Sequence, residues 1–142
     1  KRQRTAPKFY FFYIGIQRSL LRQTGIPLNQ STYEYGTLFE QWVILEISRL
    51  LDYQQRDWEI FYLRTKDDAE IDLIIDRPGL PIALIEIKSS HKIQDHDLHT
   101  LKAFKKDFSK CEAFCISQDL SERIVDGITC LPWQKAFYAL GL

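Results

Sequence analysis

A chain of 142 residues with 45% hydrophobic and 13% aromatic content can bury one good core and is too short for two ordinary domains. Nineteen basic residues balance nineteen acidic ones, which excludes a surface dominated by attraction to nucleic acid and confines any DNA or RNA contact to a local patch. No apolar run approaches a bilayer span, no signal-peptide stretch follows Lys1-Arg2-Gln3-Arg4, and Cys111, Cys115 and Cys130 form no CxxC pair, so the expectation is a cytoplasmic chain, off the membrane, with reduced and buried thiols.

Residues 1–30 read as a basic and aromatic segment ending a linker, and residues 31–142 as the domain proper; the lack of methionine marks the chain as a piece of a longer protein. The aromatic run Phe9-Tyr10-Phe11-Phe12-Tyr13-Ile14 reads as a strand or a buried anchor. It lacks the interleaved basic residues of a base-stacking platform, which assigns it to the core or to docking of an upstream part. A short helix from about Ile16 to Arg22 follows, closed by Gly25 and Pro27. Ser31 and Glu34 stand at capping-box spacing and open a long helix to about Leu51. Its apolar residues, among them Leu38, Phe39, Trp42, Val43 and Ile47, occupy nearly every side, so it packs between other elements.

Three strand signals come next, Trp58 to Thr65, Ala69 to Asp76 and Ile82 to Lys88, separated by turns at Lys66-Asp67-Asp68 and Arg77-Pro78-Gly79-Leu80-Pro81. Residues 94–108 repeat Leu98, Leu101, Phe104 and Phe108 at helical spacing, with lysines opposite. A strand at Glu112 to Ser117, a short extended piece near Ile128 to Leu131 and a helix from Trp133 complete an α-β-β-β-α-β order.

Alternation along the second strand puts Glu70, Asp72 and Ile74 on one face and Ile71, Leu73 and Ile75 on the other; on the third, Leu84, Glu86 and Lys88 share a face. If the two strands pair about 4.8 Å apart, Asp72 and Glu86 can share one divalent cation. Glu40 interrupts the helical stripe of Val43, Ile44 and Ile47, and a buried carboxylate needs a cation or a donor. Mg²⁺ keeps several of its waters, one of which can attack a phosphodiester, and Lys88 can position that water or offset phosphoryl charge. The plainer reading is a cross-strand ion-pair cluster at a sheet end, with Glu40 paired to Lys88 or an arginine and Glu70 facing solvent. His91, His96, His99 and the lysines from Lys102 to Lys110 read as solvated loop or helix face.

Glu70-Ile71-Asp72, thirteen intervening residues and Glu86-Ile87-Lys88 resemble the PD-(D/E)XK nuclease motif. The stretches Lys8-Phe9-Tyr10-Phe11-Phe12, Tyr35-Gly36-Thr37-Leu38-Phe39-Glu40, Glu70-Ile71-Asp72-Leu73-Ile74-Ile75 and Ile85-Glu86-Ile87-Lys88-Ser89-Ser90 resemble the DUF4143 family, a likeness running from about Lys8 to Pro132-Trp133. The resemblance implies an α/β restriction-endonuclease-like core lying C-terminal to an AAA-type ATPase region of the same parent chain. It implies Asp72, Glu86 and Glu40 as ligands of Mg²⁺ or Mn²⁺, with Lys88 beside them as catalytic residues, and DNA as substrate before RNA. The chain has no GxxxxGK[ST] loop, so ATP is not expected to bind it. Tyr13 stands where the family usually has Asp. Two alternatives stay open: a non-catalytic accessory module of the ATPase, and a structural domain with a leftover site.

Overall fold

The computed structural model describes residues 8–65 and 69–142. The basic start and the expected Lys66-Asp67-Asp68 turn lie outside the described residues.

Helix α1 spans Ile14–Leu20 and α2 spans Tyr33–Tyr53. The cap of α2 is Thr32, not Ser31: its Oγ1 accepts from the Tyr35 N–H at 3.2 Å, while the Ser31 hydroxyl donates to Asn29 Oδ1 at 2.7 Å. The expected Ser31–Glu34 box is therefore replaced, and Glu34 instead faces Arg18 Nε at 3.7 Å. Asn29 accepts from both hydroxyls, from Ser31 on its side-chain oxygen and from Thr32 on its carbonyl at 2.6 Å, and of the two it is the Thr32 oxygen that also reaches a helix N–H.

Strands β1 (Glu59–Arg64), β2 (Glu70–Asp76) and β3 (Ile82–Lys88) form an antiparallel meander. Arg77 secures the turn between β2 and β3: its buried guanidinium donates to the Pro81 carbonyl and to Glu112 at 2.6 Å. A 3₁₀ turn at Asp95–Leu98 runs into α3 (His99–Lys105), which crosses over to β4 (Cys111–Ser117), parallel to β3. A hairpin of β5 (Arg123–Val125) and β6 (Ile128–Pro132) adds β6 parallel to β4, and α4 (Trp133–Leu140) follows. The sheet order is β1-β2-β3-β4-β6-β5, a mixed α/β fold in the anticipated element order with β5 as an unanticipated addition.

Helices cover both faces of this sheet. Val43 and Ile47 of α2 and Leu140 of α4 meet Leu73, Ile85, Ile87 and Ile116 on one side, where Trp42 and Trp133 pack edge to face with centroids 4.7 Å apart. On the other side Leu101 and Phe104 of α3 meet Ile71, Ile74, Leu84 and Cys115. Burying a side chain the size of Ile47 contributes roughly 1.5–3 kcal/mol, which is why α2 is apolar nearly all round. Among the described residues no helix is long and apolar enough to cross a membrane.

Two expectations are corrected. The aromatic run is not a strand: before α1 it lies along α2 as coil, its Phe11 and Phe12 carbonyls held by Gln41 and Arg49, and only Tyr10 packs on the core. Phe9 is 88% and Phe12 74% exposed, so neither is an anchor. Strict alternation along β2 also fails. Phe61 lies opposite Ile74 but Leu63 lies opposite Ile71, so β2 carries one extra residue around Asp72 and Leu73. This bulge turns Ile71 to the α3 side with Ile74, away from Leu73 and Ile75.

Candidate active site

The start of β2 and the end of β3 adjoin below the middle of α2, and the coil before α1 closes over them. The β2–β3 ladder pairs Ile75 with Ala83, Ile74 with Leu84 and Leu73 with Ile85, and its last pair falls just short of Asp72. There the Asp72 carboxylate takes over as acceptor, receiving the Ile87 N–H at 2.7 Å. Glu86, 5% exposed, holds the Lys88 ammonium on Oε1 at 2.7 Å. Its second oxygen, Oε2, is buried and has no hydrogen-bond partner among the described residues.

Glu40 reaches the same region from α2, and its Oε1 accepts from both Lys8 Nζ and Tyr10 Oη at 3.3 Å. Lys8 also pairs with Glu70, which therefore joins the cluster instead of facing solvent. Lys8 and Tyr10 are the site residues that the sequence reading missed. Their signal was slight, one lysine and one tyrosine at the edge of a run assigned to a linker, and only chain packing brings them to Glu40.

The electrostatics follow from burial. Desolvation, then the charges of Glu86 and Glu40, push the Asp72 carboxyl up to about 8, against the Ile87 N–H and Lys88. Burial likewise raises Glu86, although Lys88 opposes the shift. Burial disfavours the Lys88 ammonium, but Glu86 and Asp72 outweigh it and hold the proton on Nζ more firmly than usual. Burial and Glu40 push the Tyr10 hydroxyl up to about 12. Fully ionised, Glu40, Glu70, Asp72 and Glu86 outnumber Lys8 and Lys88 by two charges.

Among the described residues no three His, Cys, Asp or Glu side chains converge as a ready metal cage. The carboxylates have protein partners of their own: Glu86 has Lys88, Asp72 the Ile87 N–H, and Glu40 Tyr10 and Lys8, the last shared with Glu70. The residues still suit a small hard cation. Mg²⁺ needs few protein oxygens, the excess charge once Asp72 gives up its proton is that of one divalent ion, and Glu86 Oε2 is an orphaned buried acceptor.

The remaining polar candidates have local roles. His96 is exposed and stands 3.5 Å from Asp97, and His91 bonds Gln30 at 3.3 Å. Lys102 pairs with Asp126 at 2.7 Å and Lys105 donates to the Gly127 carbonyl at 2.8 Å, tying α3 to the β5–β6 turn. Cys115 and Cys130 are buried as expected, and Cys111 is only partly so. Tyr13 is the N-cap of α1 and supplies no side-chain cap.

Two clefts open onto the cluster and share no lining residue. One, of about 420 Å³, takes in Glu40 and Lys88; the other, of about 190 Å³, takes in Lys8 and Asp72.

The family model described as "Domain of unknown function (DUF4143)" matches residues 35–136, well over half of the chain. That stretch contains Glu40, Asp72, Glu86 and Lys88 and leaves Lys8 and Tyr10 outside. No curated protein matches the chain.

Proposed function

The chain belongs to the DUF4143 family, and from that premise and the acidic cluster we propose that it is a Mg²⁺- or Mn²⁺-dependent phosphodiesterase with a restriction-endonuclease-like PD-(D/E)XK core, acting on DNA before RNA. The observation that carries this reading is Glu86 Oε2, buried and unpartnered beside an Asp72 carboxyl held at about 8. Such a pair is costly to a fold and is answered by a cation.

Asp72 and Glu86, with Glu40 behind them, are the residues that would hold the ion. When bound, it supplies Lewis acidity and a water acidic enough to attack near neutral pH. Lys88 keeps its proton beside Glu86 and offers a fixed positive charge to phosphoryl oxygens. Lys8 and Tyr10 orient Glu40 through its Oε1. Because both lie before residue 31, the coil from residue 8 onward works with the domain at 31–142. The ATPase region of the parent chain, joined through residues 1–30, and a cytoplasmic setting complete the proposal.

A second reading has an observation in its favour: the carboxylates are held apart by their own lysines and tyrosine, as a non-catalytic accessory module of the ATPase would tolerate. Incubating the chain and its parent with supercoiled plasmid, single-stranded DNA and RNA in Mg²⁺, Mn²⁺ or EDTA separates the two. Metal-dependent cleavage that falls at least about 100-fold in Asp72→Asn and Lys88→Ala is the expected result. Equal inactivity of wild type and variants, with the parent and ATP included, leaves the accessory module.

A further inference from the structure

Helix α2 carries a glycine that neither its backbone nor its packing requires. Gly36 lies inside the helix without positive φ, its N–H bonded to the Thr32 carbonyl at 3.2 Å, and a glycine in that setting weakens a helix relative to alanine. Outside its own helix backbone and chain neighbours, a Cβ added there would meet only Ser89 Oγ among the described residues, at 3.5 Å, an ordinary van der Waals contact. An alanine therefore fits.

The missing side chain leaves room in the larger cleft. Tyr33, Gly36, Thr37 and Glu40 stand at i, i+3, i+4 and i+7, so one stripe of α2 forms a wall of this space of about 420 Å³. The end of β3 and the residues after it, from Lys88 to Ser90, face that stripe. The wall runs about 10 Å along the helix axis from Glu40 in the acidic cluster to Tyr33, which is 91% exposed. Gly36 lies between them, and a methyl group there would project across the cleft toward Ser89.

The walls offer what a phosphodiester backbone binds, an ammonium group at the cluster end and the hydroxyls of Ser89 and Ser90 beside Gly36. The volume falls within the roughly 300–1,000 Å³ of ligand sites, whereas the other cleft, of about 190 Å³, lies below it. A glycine facing such a space allows close approach of a ligand to the helix backbone.

Resting on the phosphodiesterase reading, we infer that a nucleic-acid strand lies in the larger cleft, its sugar–phosphate backbone passing against Gly36 and beside Ser89 and Ser90 to reach Lys88 and Glu40. The bare backbone at Gly36 sets how deeply the strand sits. That depth decides whether the scissile phosphate reaches the carboxylates.

Gly36→Ala in the full 142-residue chain separates this role from folding. Its melting temperature rises by about 2–4 °C, because alanine is the better helix former and meets no clash. Fluorescence anisotropy follows a labelled DNA strand, single and as duplex, in EDTA and in Ca²⁺, which like Mg²⁺ takes oxygen ligands. Binding of whichever form wild type takes weakens at least about tenfold in Gly36→Ala and further in Gly36→Leu. Ser90→Glu costs about tenfold by placing a carboxylate beside the phosphates. A Gly36→Ala chain that melts below wild type would give the glycine a packing role, and one that binds DNA like wild type would put the strand elsewhere. Either result overturns the inference, as does a wild type that binds neither form.

Cleavage assays in Mn²⁺ tell failure of this inference from failure of the reading beneath it. Binding that depends on Gly36 without cleavage of any substrate removes the phosphodiesterase reading and retains the strand site. Metal-dependent cleavage that Gly36→Ala leaves unchanged does the reverse.

Discussion

The Asp72 carboxylate accepts the Ile87 backbone N–H at 2.7 Å, just beyond the point where the β2–β3 ladder ends at Leu73 and Ile85. A side chain thus completes a sheet that the backbone leaves unfinished. The cost is a carboxyl group buried near Glu86 and Glu40, with its proton held to about 8.

That shift makes stability depend on pH. The folded state binds the Asp72 proton more tightly than the unfolded chain, whose value is about 3.9. The resulting stabilisation is complete below about pH 4 and is lost as pH rises through about 8. Asp72→Asn still offers an oxygen to the Ile87 N–H and never ionises. In EDTA its melting temperature matches wild type near pH 4 and exceeds it above pH 8, by an amount equivalent to about 1–3 kcal/mol. Parallel curves across that range would remove the burial account.

Metal binding carries the same proton. An ion held by Asp72 must displace it, so Mg²⁺ or Mn²⁺ affinity rises as pH climbs toward about 8, by up to about tenfold per unit. Titration calorimetry near pH 7 in buffers of different ionisation enthalpy detects the released proton. Glu86→Gln abolishes both heat and proton release, and binding that ignores pH would place the ion elsewhere.

Lys8 bridges Glu40 and Glu70 from the coil before α1. Lys8→Met leaves both carboxylates without that cation and lowers stability by about 1–2 kcal/mol at pH 7 in EDTA. Added Mn²⁺ restores part of the loss, because one ion can replace the missing charge. Urea titrations with and without Mn²⁺ read both effects. An unchanged midpoint in EDTA would show that the Lys8 contacts contribute nothing net.

Helix α1 starts at Tyr13 without a side-chain cap, and none of its residues is buried. Tyr13→Asp supplies an acceptor for the first-turn N–H groups and a favourable charge at the positive helix end, worth about 1 kcal/mol. Amide exchange within residues 14–20 slows several-fold in the variant, while metal binding at the acidic cluster stays the same. A change in metal affinity would connect Tyr13 to the site.

Much of the architecture could be read from local chemistry. The strand signals fell within one or two residues of β1, β2 and β3, because β-branched runs bounded by turn residues specify extended backbone. One legible signal was overlooked: Asp126 and Gly127, both at positive φ, form the turn that folds Arg123-Ile124-Val125 back on β6. The choice between Ser31 and Thr32 as cap could not be read, since Asn29 holds both hydroxyls and only the path of the chain decides which oxygen reaches the Tyr35 N–H.

The sequence by itself determined the mixed α/β order and, through the likeness of its motifs, the family, and it singled out Glu40, Asp72, Glu86 and Lys88 as candidates, because periodicity and motif spacing are properties of neighbouring residues. Only the tertiary structure decided the bulge beside Asp72, the entry of Lys8 and Tyr10 into the cluster, and the partner that each carboxylate takes. Register is set by the partner strand and burial by everything packed around a group, so bulge, charge balance and the raised Asp72 emerge only when distant segments meet.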